Sequence, residues 1–125
     1  DGLRVYTSSY HLAQEAANYR DYRTVSKVRQ VEAIDQLSLN ARKKISQMVS
    51  ELEDAEFSFD VNGDLKNQIA DLANAWKRIV TEDSFENDFV NQYKYYDTFV
   101  QKTQSLVATT IQVSGLAQDF SRVSM

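Results

Sequence analysis

The segment Asn18-Tyr19-Arg20-Asp21-Tyr22-Arg23 carries the residues best suited to hold a ligand. On a helix, Arg20 and Arg23 are three apart and share a face, as do Tyr19 and Tyr22. A guanidinium is a rigid, planar fork of donors that matches a carboxylate or another small oxyanion bidentately. Inside a helical bundle or at a dimer seam, such a layer would take an anionic ligand, with Asn18, Tyr19 and Tyr22 around it. The plainer reading is a solvent-facing stretch salt-bridged by Asp21, or a hairpin corner.

Other candidate chemistry is thinner. Asp60, Asn62 and Asp64 stand where a calcium loop begins, with Asp71 at its twelfth position. Such a loop wants glycine sixth and glutamate twelfth, and here those are Leu65 and Asp71. An inter-helix turn, with Asp64 capping the next helix, explains the segment more simply. His11 is the only histidine and there is no cysteine. That leaves zinc with carboxylates alone, and nothing resembles a nucleophile elbow. The Glu-x-x-His pairs of di-iron bundles are absent as well. Glu51, Glu53 and Asp54 read as a solvated acidic patch. No catalytic residue, metal site or cofactor is predicted. Phe89, Tyr93, Tyr95, Tyr96 and Phe99 cluster in the last third, and core packing explains most of them, as it does Trp76.

The elements that must position these residues are helices. The 125 residues include three glycines and no proline, whereas sheet-rich folds of this size need many tight turns. Hydrophobic residues at 42% and charged residues at 26% fit one folded domain spanning 1–125. The last helix is predicted from Phe85 to about Val123, capped by Asp83 or Ser84. Its apolar positions include Phe89, Tyr93, Tyr96, Val100, Val107, Ile111 and Phe120, and Gly115 would loosen it near the end. A shorter helix follows Asp64 through Leu65, Ile69, Leu72, Ala73, Trp76, Ile79 and Val80. Upstream, Ala41, Ile45, Met48, Val49, Leu52 and Ala55 mark another, with an Asn62-Gly63 turn between the two.

The first forty residues allow two readings. Leu3, Tyr6, Tyr10, Ala13 and Ala17 form one stripe, and Val25, Val28, Val31 and Ile34 another. Either a hairpin turn occupies 18–24, or one long helix passes through with a polar layer at Arg20 and Thr24 and turns at about Leu37–Asn40, where Ser38 and Asn40 would serve as caps. Helix length favours the second. The expected fold is all-α, an antiparallel up-down-up-down four-helix bundle with long outer helices 1 and 4 and shorter helices 2 and 3.

The net charge of −4 leaves no basic footprint for nucleic acid. No stretch approaches the roughly 20 apolar residues needed to span a bilayer. The start at Asp1 and a helical pattern running close to both ends suggest a piece excised from a longer helical protein.

Two long outer helices with open ends, two shorter inner ones, and neither cysteine nor catalytic residues resemble the periplasmic four-helix-bundle sensor domains of bacterial transmembrane receptors, both chemoreceptors and sensor histidine kinases. The resemblance covers the whole chain in layout. It implies a non-enzymatic domain on the extracytoplasmic side of the inner membrane, continued at both ends into membrane spans. It also implies homodimerisation along the first helix and a small-molecule ligand, an anion suiting the arginines, or a periplasmic protein partner. Asn18, Arg20 and Arg23 occupy a comparable place on the first helix. Ala16-Ala17-Asn18-Tyr19-Arg20 echoes the nitrate-sensing subgroup, whose methionine after the arginine is Asp21 here. The alternative function is a non-enzymatic helical scaffold or protein-interaction module of spectrin-like or adaptor type.

Overall fold

The computed structural model describes residues 2–29, 31–82 and 89–116. Among them are four helices and no strand: α1 Gly2–Val28, α2 Glu32–Asp54, α3 Asp64–Glu82 and α4 Phe89–Ser114. They pack as a ring in which α1 touches α2 and α4, and α3 touches the same two. The all-α expectation holds. No helix among the described residues is long and apolar enough to cross a membrane.

α3 follows its sequence pattern most closely. Leu65, Ile69, Leu72, Ala73, Trp76 and Ile79 are all buried, one apolar stripe at helical spacing. Its cap is not the expected one. Asp64 is the first helical residue, and Asp60 reaches forward instead, its carboxylate accepting from the backbone N–H groups of Leu65 and Lys66, both at 3.0 Å. Gly63 bends the chain between them at φ 75°, a conformation that suits glycine. The carboxylate of the calcium-loop reading is therefore occupied by helix donors. Asp60→Ala is expected to destabilise the chain by about 1 kcal/mol, as loss of a helix cap does; urea unfolding followed by circular dichroism measures it.

α1 departs most from expectation. It runs unbroken through 18–24 to Val28, and α2 begins at Glu32, so the first turn lies in neither expected place. Ser38 and Asn40 sit inside α2 and cap nothing. Val25, Val28 and Val31 keep helical spacing across the break but are exposed, so no core packing holds one helix through them. The buried face of α1 is also not the stripe of Leu3, Tyr6 and Tyr10. It is Val5, Ser9, Leu12, Ala16, Tyr19, Arg23 and Ser26, a strict alternation of four- and three-residue steps. Leu3 is 58% exposed and Tyr10 45%. Two interleaved stripes share one spacing, and the polar members of the buried one disguise it.

In α4 the buried positions are Gln92, Tyr96, Phe99, Val100, Thr103, Leu106 and Thr110, while Val107 and Ile111 are half-buried and Tyr93 is exposed. α4 ends at Ser114, where Gly115 takes φ 80°. The expected caps Asp83 and Ser84, and the positions Phe85 and Phe120, lie outside the described residues. At the centre, the Trp76 ring packs on Phe99 with centroids 5.1 Å apart, and edge-on to Tyr19 at 5.4 Å.

Candidate functional site

The buried stripe of α1 turns polar in its last two turns. Arg23, only 4% exposed, and Ser26 continue the spacing set by Leu12, Ala16 and Tyr19. Ser26 Oγ donates to Asp35 Oδ1 at 2.8 Å, which fixes the register of α2 against α1. Ser38, one turn further into α2, is buried as well. On α4, Tyr96 Oη accepts a 3.3 Å hydrogen bond from Arg23 Nε. Gln92, one turn nearer the start of α4, is buried too.

Arg23 and Tyr96 thus form a buried polar contact between α1 and α4, and Ser38 is a buried hydroxyl of α2. A buried guanidinium is tolerated only when its donors are used, and Arg23 has five of them. The Ser38 hydroxyl is 4% exposed by residue and has no hydrogen-bond partner among the described residues. A buried hydroxyl left so is uncommon in native proteins and calls for an explanation.

The expected site residues divide. Tyr19 is buried, its ring edge-on to Tyr96 at 5.6 Å. Tyr22 is half-buried against the core. Arg20 and Arg23 do not act together. Arg20 turns to the flank, where Nε pairs with Asp21 at 3.2 Å and Nη1 with Asp97 at 3.0 Å. Partial burial works to lower its pKa, but the hydrogen bond and charge of Asp21 and the hydrogen bond to Asp97 outweigh that and raise it. Asn18 is exposed and lines an open hollow between α1 and α2 with Lys44 and Met48. For Arg20 the salt-bridged reading holds, with Asp97 as an added partner; Arg23 lies in the core.

Sequence reasoning missed Ser38, Ser26, Asp35 and the pairing with Tyr96. The available signal was position: Arg23 and Ser26 extend the buried stripe of α1, and Ser38 begins that of α2.

The remaining candidates contribute no site. His11 is exposed with its ring beside Tyr10, and Glu51, Glu53 and Asp54 are exposed. No group of three or more His, Asp or Glu that could hold a metal occurs among the described residues. The chain matches no protein-family model, no curated protein and no solved structure.

Proposed function

We propose that this chain is the extracytoplasmic sensor domain of a bacterial transmembrane receptor, an antiparallel up-down-up-down bundle that binds a small oxyanion at Arg23 and answers with a shift between α1 and α4. The observation that carries the reading is the buried contact of Arg23 with Tyr96, in a bundle that also holds a spare buried hydroxyl at Ser38 of α2. That contact joins the first and last helices, which are the ones a receptor would continue through the membrane.

The topology is supported by pairs whose numbers fall on one helix as they rise on the next. Ser46 and Arg42 of α2 bond Trp76 and the Val80 carbonyl of α3. Gln68 and Asp71 of α3 bond Thr109 and Lys102 of α4. Arg20 pairs with Asp97, and Gly2 lies against Ser114. Helices of 27 and 26 residues at the ends and of 23 and 19 between them suit the long-outer layout.

The seam between α1 and α4 suits a small sliding motion. A Cβ placed on Gly2 would lie 2.7 Å from Ser114 Cβ, so the helices approach closely there. Between Gly2 and Arg23, α1 buries the small residues Ser9 and Ala16, and α4 buries Thr103 and Thr110. The hydroxyls of Ser9, Thr103 and Thr110 donate to carbonyls of their own helices, so those bonds need not break when the helices move. A ligand shifts such an equilibrium only by binding one arrangement more tightly.

The test is a thermal-shift screen of the chain with nitrate, acetate, malate and aspartate. A binding anion stabilises the chain by about 2.7 kcal/mol at a hundred times its Kd, and Tm keeps rising with the logarithm of its concentration. Arg23→Met is expected to abolish the response and Arg20→Ala to leave most of it. A response that survives both substitutions together rejects the site, and no response to any anion rejects the ligand class.

Homodimerisation is part of the same proposal. Leu3, Tyr6, Tyr10, Ala13 and Ala17 repeat at heptad spacing on a face of α1 left largely outside the core, as a seam for a second helix would. Sedimentation equilibrium should show a dimer that Tyr10→Asp weakens at least about tenfold, or about 1.4 kcal/mol. An unchanged association constant removes the seam.

A further inference from the structure

We propose that Asn62 is a site of spontaneous modification: its side-chain amide cyclises onto the backbone nitrogen of Gly63 and hydrolyses, and one product loosens the cap of α3. The pair lies in the connection between α2 and α3. Asn62 is exposed there, and Val61 before it is 88% exposed. A side chain on the residue that supplies the nitrogen would crowd the attack, and glycine has none. A Cβ built on Gly63 would meet nothing within 4 Å, so the space beside its backbone is open.

The turn restrains the reaction through a hydrogen bond from the Gly63 N–H to the Asp60 carbonyl at 3.1 Å. A bond of this kind in an exposed turn opens locally at far lower cost than the whole fold. Asn40 and Asn74 supply the contrast. Both are exposed and each precedes an alanine, but they lie inside α2 and α3. A helix holds the following N–H in its own repeating hydrogen bonds, and helical turns on either side keep it there.

The chemistry needs only water and base. The Gly63 nitrogen gives up its proton and attacks Cγ of Asn62, closing a five-membered imide. The Cγ–Nδ2 bond breaks, and ammonia leaves with a proton from solvent. Water then opens the ring at one of its two carbonyls, with no change of oxidation state. Breaking the new Cγ–N bond restores the ordinary backbone with aspartate at position 62. Breaking the original peptide bond leaves the chain running through the side-chain carbons, which is isoaspartate, one backbone atom longer.

The two products differ in what they do to α3. Each adds a negative charge just before the helix start, where the dipole favours it. Isoaspartate also lengthens the chain between Asp60 and Leu65. That displaces the Asp60 carboxylate from the N–H groups of Leu65 and Lys66, which it meets at 3.0 Å.

None of these steps involves Arg23, so the outcome bears on this proposal alone. The test is incubation of the folded 125-residue chain at mildly alkaline pH, followed by peptide mapping with mass spectrometry. Asn62 is expected to convert at least about tenfold faster than Asn40 or Asn74, a barrier lower by about 1.4 kcal/mol. Asn62→Gln, which would have to close a six-membered ring, should remove the conversion. The urea midpoint of the aged chain should fall toward that of Asp60→Ala, while Asn62→Asp, with the same charge on an ordinary backbone, should keep the midpoint of the fresh chain. Conversion at Asn62 no faster than at Asn40 and Asn74 rejects the site. An unchanged midpoint in chain rich in isoaspartate, or an equal fall in Asn62→Asp, rejects its effect on the cap.

Discussion

Trp76→Ala is expected to destabilise the chain by about 3–5 kcal/mol, the range for deleting a buried aromatic side chain. Trp76 is 3% exposed and lies where all four helices meet. Its ring, on α3, packs against Phe99 of α4 and Tyr19 of α1, and Nε1 donates to Ser46 Oγ of α2 at 2.9 Å. Tyr19 in turn meets Tyr96 edge-on, so the cavity would open near the Arg23–Tyr96 contact. Tyr22, Met48 and other half-buried neighbours of the core refill such a space only in part. Trp76→Phe keeps much of the apolar contact and loses the hydrogen bond, whose net worth is about 1 kcal/mol. Ser46 is exposed, so its hydroxyl turns to water and no buried polar group is stranded. Urea unfolding by circular dichroism should place Trp76→Ala well below Trp76→Phe. A loss under about 1 kcal/mol for the alanine variant would mean that the four helices do not share this contact.

Trp76 was legible in the sequence, and the reason it was separates what could be read from what could not. α3 has a single apolar stripe, so periodicity and burial coincide from Leu65 to Ile79. In α2, Ala41, Ile45, Val49 and Leu52 are buried where periodicity puts them. In α1 two stripes compete at one spacing, and the one richer in Leu and Tyr lies largely outside the core. A helix with apolar residues on two faces cannot tell a lone sequence which face its own bundle takes. The first connection was hidden for another reason. It contains neither Gly nor Pro, the residues that punctuate turns, and Val28 and Val31 on either side preserve helical spacing. Arg23 was visible as chemistry, while its partner Tyr96 lies 73 positions away and becomes its neighbour only once α4 packs along α1.

Arg23→Ala and Arg23→Met should have opposite consequences, and together they separate a structural arginine from one kept for binding. Alanine removes the guanidinium with its hydrogen bond to the Tyr96 hydroxyl and leaves a void. Deleting a large buried side chain together with its hydrogen bond costs about 2–5 kcal/mol, a fall in Tm on the order of 10 °C for a chain of this size. Methionine fills most of the same volume with an unbranched, adaptable side chain. Apolar replacement of a buried charge is often neutral or stabilising, because the desolvation of the ion disappears with it. If Arg23 only fastened α1 to α4, both variants would lose stability, methionine less than alanine. If it is kept for a ligand, Arg23→Met should match or exceed the unsubstituted chain in Tm without anion and fail to gain from an anion that stabilises that chain. Ser38→Ala sharpens the distinction. It removes a hydroxyl that has no partner among the described residues, so without ligand it should leave stability within about 0.5 kcal/mol or raise it slightly, while weakening the anion response. A Ser38→Ala variant that is markedly less stable without anion would assign the hydroxyl a structural bond and withdraw it from the site.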